Sequence, residues 1–461
     1  MTHPLHITYG VLLLSRYPPQ RSLRRKTASC GRSPRCCPKL RRALSRADCP
    51  RRLSQAVHDR NESSKTGIAM KRILLLLLAL GAVCSLNAKT RKCLYRVTVT
   101  GKRAECPVVI RDVPEWAQSA VVSLGGVHRI PPVGPGTGRT GLRLRHFRQP
   151  EFPGSLLLGP RQARFQKRVH AQMWLKNPDK TLRAVGCASS EKNDMYHKLH
   201  HHGPAFESEY AAYRIYFDNK QTVDTYGKKR PQLELAETMW YPSDEQLSRG
   251  YGHDNLRVFG SVGVGTLKGW DAEKRKMVHI TDFKRREARI LADGPIRTVV
   301  EMRVEGWRYG GREITMTSRY ILYAGHGDVQ VENRIEGDFR GLVFTTGVMK
   351  MAESEVCKND NVIAAFGRDF PENDTVKWER ESVGLAVAVP QRQIVSQTDD
   401  KTSYLFQLTP DARGRIDYAF EMIWRKSEWL KDRSDTECVL GLMESVGAAR
   451  TPVVVSRIRQ F

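Results

Sequence analysis

From residue 288 onwards the chain alternates apolar and polar residues with a period of two, in runs too long for chance. Residues 289–292, 296–307, 312–323, 328–336 and 341–349 form the series. Asp293-Gly294, Gly310-Gly311, Gly325-His326-Gly327 and Gly337-Asp338 punctuate it. Strands with one face in a core and one in water have this period, and Gly/Asp pairs between them are what hairpins require. Residues 385–389, 403–408 and 416–423 continue the pattern, and 94–100, 107–110 and 120–124 begin it, with Trp116 in a short helical turn between. Residues 232–237 read as one further strand, and Tyr241-Pro242 opens a loop or short helix around Asp244-Glu245-Gln246. No long helical stripe appears, and no strand–helix alternation that would build a nucleotide-binding sheet. The fold class expected is all-β, a large antiparallel β-sandwich forming a single domain over 89–437.

The formal charge of +27 would normally point to nucleic acid, but it is concentrated outside that body. Residues 1–69 carry 15 Lys/Arg against 3 Asp/Glu, with no sustained periodicity. Directly after them, Met70-Lys71-Arg72, the apolar run 73–80 and the small-residue stretch ending at Ala88 have the order of a secretory signal peptide. It is too short and wrongly flanked for a membrane span. A leader acts from the N-terminus, so translation is expected to start at Met70, with 1–69 a non-native upstream extension. Export to the periplasm or beyond follows, without stable membrane insertion. Residues 128–168 set 9 Lys/Arg against Glu151 alone and dissolve into Gly, Pro and Arg, which reads as a frame-shifted stretch. Residues 438–461 read as an aberrant tail. Removing these pieces leaves a body near +3, and nucleic-acid binding loses its support. Cys93, Cys106, Cys187 and Cys357 are too few for a disulfide scaffold and lack zinc spacing. Cys93–Cys106 pairing and free thiols both remain open.

The chemistry gathers between Tyr196 and Lys228. His200, His201 and His202 run into a Gly203-Pro204 turn, followed by Glu207 and Glu209 and then by Tyr213-Arg214-Ile215-Tyr216-Phe217-Asp218. Alternation sends Arg214 and Asp218 to one face and the apolar set to the other. Residues 222–226 are expected to pair back across Asn219-Lys220-Gln221. Imidazole, carboxylate, guanidinium and phenol together are what acid–base work on a polar substrate needs. The plainer alternative is an Arg214–Asp218 pair on a wet face beside a solvated His run. Adjacent histidines on a strand would point to opposite faces, so His200 and His202 at most could share an ion, helped by Glu207 or Asp218. No cofactor is called for, and Ca²⁺ stays open. The Gly-rich 260–270 stretch lacks the Lys-Ser/Thr of a phosphate loop. Trp240, Tyr241, Tyr251, Lys268 and Trp270 around it suit a sugar ring, unless they are ordinary core.

Val169-His170-Ala171-Gln172, the segment from Tyr196 through Glu209, Ala212-Tyr-Arg-Ile-Tyr-Phe-Asp-Asn-Lys-Gln221, Tyr226-Gly-Lys228, Trp240-Tyr-Pro242, Gly265-Thr-Leu-Lys-Gly-Trp-Asp271 and Ser318 to Gly325 carry a resemblance. Over about 90–127 and 169–435 the chain resembles the secreted bacterial family called domain of unknown function 4861. That resemblance implies a galactose-mutarotase-like supersandwich encoded near enzymes of pectin-like, uronate-containing glycans, and no established activity. Where the family carries an acidic strand-like segment, this chain has its basic 128–168 stretch.

Two classes of function follow. One is an enzyme on acidic polysaccharide or oligosaccharide. A lyase would take its base from His200, His201 or His202, its cation from Arg214 or Lys228 and its acid from Tyr213 or Tyr226. A hydrolase would use two carboxylates among Glu207, Glu209 and Asp218. The other class is a non-catalytic carbohydrate-binding protein. Glu209, Asp218, Tyr226, Lys228, Trp240, Tyr251, Lys268 and Trp270 are the expected substrate contacts; the His200–His202 turn, Glu207, Tyr213, Arg214 and Asp218 are expected to line one concave face, with Tyr226, Lys228, Trp240 and Trp270 nearby.

Overall fold

Tyr309 and Arg312 face each other across Gly310-Gly311, whose φ values of 60° and 72° are those of a two-residue hairpin turn. This turn fixes the register of two long strands, Arg297–Tyr309 and Arg312–Tyr323, the third and fourth of a nine-stranded antiparallel sheet. From one edge its strands are Cys187–Ser190, Arg285–Asp293, Arg297–Tyr309, Arg312–Tyr323, Val329–Gly337, Arg415–Trp424, Glu381–Ala388, Val362–Asp369 and Ala352–Lys358. The computed structural model describes residues 168–449 throughout. Beyond these it describes only the backbone of strands His6–Ser15, Lys92–Thr100, Val108–Ile110, Ser119–Ser123, Leu142–Leu144, Leu156–Leu158 and Val453–Gln460. Residues 168–449 belong to one compact unit, and a second, Ser15–Lys92, lies outside the described residues except for its end residues Ser15 and Lys92. The leader expected at 70–88, most of the upstream extension and nearly all of the basic 128–168 stretch lie outside them too.

Period-two patterning does what it should. Ile314, Met316, Ser318 and Tyr320 are buried on one face of their strand, while Thr315, Thr317 and Arg319 are not. The inward face shares one continuous core with two five-stranded antiparallel sheets. Val300, Met302, Val304, Tyr320 and Phe420 meet Phe206, Tyr213 and Ile215 of one, and Phe344 and Phe406 of the other. Each large apolar side chain so buried contributes about 1.5–3 kcal/mol before conformational entropy is counted. Part of the outward face is polar, and part is apolar and covered by a helix. On the polar part Glu301, 1% exposed, lies between Arg289 and Arg319. The all-β, antiparallel sandwich expected from the sequence is the architecture of the described residues.

The five-stranded sheet that carries the candidate site consists of β1 (Val169–Gln172), β2 (Ala205–Ser208), β3 (Ala211–Ile215), β4 (Val223–Gly227) and the short β5 (His253–Asp254). They lie side by side in that order. Two sequence expectations are corrected. Residues 232–237 form no strand: they turn into a one-turn helix, α1 (Leu235–Thr238). Glu207 supplies the reason by binding the backbone N–H groups of Glu234 and Leu235. Nor is Cys438 the start of a foreign tail. Helix α2 (Asp435–Ala448) runs through the expected boundary from a Ser434–Glu437 capping box. It buries Cys438, Val439, Leu442 and Val446 against Ala364, Phe366, Ala386 and Ala419 of the large sheet. Spacings of one, four and eight residues place those four on a single helical face.

Candidate functional site

The β3–β4 hairpin places its side chains by register. Tyr213 and Ile215 turn into the core, and Arg214, between them, turns out, opposite Asp224. Arg214 donates to Asp224 Oδ2 through Nε at 2.9 Å and Nη2 at 2.6 Å. The β5 strand, paired beside β4, brings Asp254 Oδ2 within 2.8 Å of the same Nη2. Arg214 also donates to the hydroxyls of Tyr216 at 2.6 Å and Tyr241 at 3.1 Å. The guanidinium lies over the Trp240 ring at 4.5 Å and the Tyr216 ring at 4.7 Å. Met239 and Trp240, with φ of 51° and 76°, both take the left-handed region after α1. That conformation brings the indole under the guanidinium, where its Nε1 donates to Asp254 Oδ2 at 3.0 Å.

One buried cation therefore serves two buried carboxylates. Arg214 is 4% exposed and Asp254 5%. Burial, then the neighbouring Asp224 charge, push the Asp254 carboxyl well above the usual carboxylate range, against the pull of Arg214 and the Trp240 N–H. Tyr216 donates to Asp224 Oδ2 at 2.9 Å, and burial followed by that carboxylate keep it a neutral phenol.

This cluster floors an open cleft of about 680 Å³ lined by Tyr196, His202, Arg214, Tyr216, Asp218, Lys220, Tyr241, Asp254, Arg257 and Phe259, among others. Two of these are the exposed aromatics Tyr241, 42% exposed, and Phe259, 56%. His202 stacks on Tyr196 with ring centroids 3.9 Å apart, and its Nδ1 lies 3.0 Å from the Tyr196 carbonyl oxygen. A carbonyl only accepts, so Nδ1 carries the hydrogen and Nε2 keeps its lone pair. Burial, partly offset by that hydrogen bond, pushes His202 down to about 4, so the ring is neutral near pH 7.

The structure brings Arg214, Asp218, His202 and Trp240 to this cleft or its floor and disperses the other expected residues. Asp218 caps the hairpin turn, accepting from the N–H groups of Lys220 at 2.8 Å and Gln221 at 3.0 Å. The three histidines lie in one tight turn in which His201 and His202 take the left-handed region, with φ of 41° and 66°, and their rings fan out. His200 Nε2 meets the Met239 carbonyl at 3.1 Å. His201, 1% exposed with φ of 41°, lies against Gln172 and beside Trp240. With the three rings so divided, His200 and His202 share no site. Among the described residues, no three metal-ligating side chains cluster.

The expectation of one concave face is corrected for the rest. Glu207 is fully buried and bound by Lys228, whose Nζ also donates to the carbonyl oxygens of Ser208 at 2.6 Å and Gln232 at 2.7 Å. Glu209 holds Arg168 and the Gly325 N–H. Tyr213 crosses the core to donate to the Gly327 carbonyl at 2.7 Å and accept from Met422 N at 3.0 Å. Tyr226 donates to Glu234 or to the Gly252 carbonyl, each at 2.8 Å. Tyr251 bonds Glu237, and Trp270 packs with Val262, Met277 and Leu405. Lys268, fully buried, donates to the Lys220 carbonyl at 2.7 Å and Thr222 Oγ1 at 3.1 Å and meets His279 Nδ1 at 3.0 Å. Burial pushes it down to about 7. Sequence reasoning gave no role to Asp254, Tyr216, Tyr196, Arg257, Phe259 or Asp224. The available signal was His253-Asp254-Asn255, a polar triplet twelve residues after the aromatic Trp240-Tyr241 pair.

Among the described residues, no helix is long and apolar enough to cross a membrane. The comparison with curated proteins yields no match. Six solved chains match. One is a protein assigned as an aldose 1-epimerase from Klebsiella pneumoniae subsp. pneumoniae MGH 78578, 7% identical, spanning 60% of this chain and 96% of that one with a TM-score of 0.29. An overlap that small carries no argument, and the antiparallel architecture stands on the strand pairing itself. The model of a family described as "Domain of unknown function (DUF4861)" matches residues 156–440, well over half of the chain, which belongs to that family.

Proposed function

We propose that this is an exported carbohydrate-active protein whose cleft takes a uronate-containing glycan and opens it by lyase-type β-elimination. The observation that carries the reading is the cleft: exposed Tyr241 and Phe259 rings stand over a floor of charged and phenolic groups. The C–H face of a sugar stacks on such rings while its hydroxyls bond the polar floor. Lys220 on the wall supplies positive charge for a uronate carboxylate, whereas the other wall cation, Arg257, is already paired with Asp369 at 2.6 Å. His202, neutral with Nε2 as acceptor, is in the right state to take the proton beside that carboxylate. Hydrolysis is favoured less, because Asp224 and Asp254 share one guanidinium at the floor instead of flanking a bond. Glu207 and Glu209 are engaged elsewhere.

The test incubates the full chain with pectic and other acidic polysaccharides while absorbance in the unsaturated-uronate band is followed. Turnover is expected, falling by about 10²-fold or more in His202→Ala. Its acid limb should lie near pH 4, since the base works only when neutral and is protonated below about 4. Full turnover in a folded His202→Ala would overturn the assignment of the base. Glycan binding without any unsaturated product would make the protein a binding module.

A further inference from the structure

The β-elimination read above needs an acid for the leaving oxygen, and the phenols first considered for it, Tyr213 and Tyr226, donate into the core and to Glu234. Another group in the cleft fits better. Asp254 lines it, is 5% exposed, and makes both its hydrogen bonds, to Arg214 and Trp240, through Oδ2. Its Oδ1 is buried and has no hydrogen-bond partner. The Leu256 N–H favours the anion but closes no hydrogen bond to Oδ1. An unpartnered buried carboxylate oxygen is costly, whereas a protonated one becomes a donor waiting for an acceptor.

The charges around it point the same way. Arg214 and Tyr216 from β3 and its extension, Asp224 from β4 and Tyr241 from the loop after α1 face the carboxyl. His253, next to it in β5, turns towards Glu381 at 3.6 Å instead. Asp224 already takes two hydrogen bonds from Arg214 and one from Tyr216. One guanidinium neutralises one carboxylate fully, and the second is left to hold a proton.

We propose that Asp254 is the catalytic acid of the cleft, a carboxylic acid that donates its proton to the leaving oxygen of the glycan; this rests on the reading of the cleft as a lyase site. His202 Nε2 removes the proton beside the uronate carboxylate, and the freed electron pair forms the carbon–carbon double bond. The bond from the adjacent carbon to the glycosidic oxygen breaks, and that oxygen keeps the pair and takes the Asp254 proton. Asp254 is then a carboxylate held by Arg214 and the Trp240 N–H, His202 is an imidazolium, and water carries the proton back. No oxidant or second substrate is needed.

The test has two arms. In the first, infrared spectra at neutral pH compare wild type with Asp254→Asn, whose amide keeps the shape and an acceptor for Arg214 and Trp240. A protonated-carboxyl band present in wild type and missing from the variant is expected, and its absence from wild type overturns the proposal whatever the glycan. In the second, Asp254→Asn should bind acidic oligosaccharides within about threefold of wild type while turnover falls by about 10²-fold or more. The alkaline limb of the wild-type pH profile should vanish with it. Unchanged turnover and profile in the variant overturn the proposal. Wild type that shows the band yet binds none of the glycans overturns the cleft as a glycan site, and the acid role with it, while the protonation stands.

Discussion

Glu207 shows at the scale of one residue how a carboxylate can look catalytic and be architectural. Its two oxygens take the Lys228 ammonium and the first two N–H groups of the segment that turns into α1. Breaking a buried pair by removing one partner costs about 3–5 kcal/mol, because the other charge is left uncompensated. Glu207→Gln is therefore expected to lower unfolding stability by several kcal/mol, measured by urea titration. Turnover per folded molecule should stay within about twofold of wild type. A folded variant that has lost turnover would return Glu207 to the chemistry. Arg214 and Asp254 differ from this pair in one respect that matters for function: they line the open cleft.

At the scale of elements, the hairpin turn after β3 connects the cleft to a buried amine. Lys268 holds the turn through the Lys220 carbonyl and Thr222, and Asp218 and Lys220 of that turn line the cleft. Burial lowers Lys268 from 10.5 to about 7, and His279 against it is pushed down to about 4, by burial first and Lys268 second. Between about pH 7 and 10.5 the unfolded chain holds a proton here that the folded chain lacks, so stability rises with pH across that window. The penalty is absent above about 10.5 and complete near 7. Lys268→Met should flatten the slope of unfolding free energy against pH in that window by up to about 1.4 kcal/mol per pH unit. Chemical denaturation at a series of pH values checks it, and an unchanged slope would show the amine to be charged when folded.

At the scale of the whole molecule, far-ultraviolet circular dichroism of the full chain should be dominated by antiparallel β structure, with a minor helical part from segments such as α2; a helix-dominated spectrum would contradict the fold. That architecture was legible in the sequence because its cause is local. Period-two alternation and Gly310-Gly311 between residues 309 and 312 dictate strands, faces and register with no knowledge of the neighbours. The hairpin carrying Arg214 was legible for the same reason. Two helices were not. The α1 turn forms where Glu207, 28 residues before Leu235, binds its first N–H groups, and α2 shows its apolar stripe only against Ala364 and Ala386. The site divides along the same line. Which residue types gather between Tyr196 and Lys228 is written in the sequence. That His202 alone of three histidines reaches the cleft, that Glu207 is consumed by Lys228, and that Asp254 arrives 40 residues after Arg214 to share its guanidinium were decided by tertiary packing. The physical reason is range. Backbone periodicity is set by bonds and sterics within a few residues, whereas the protonation and partners of a buried charge depend on whatever the fold brings within a few ångströms of it.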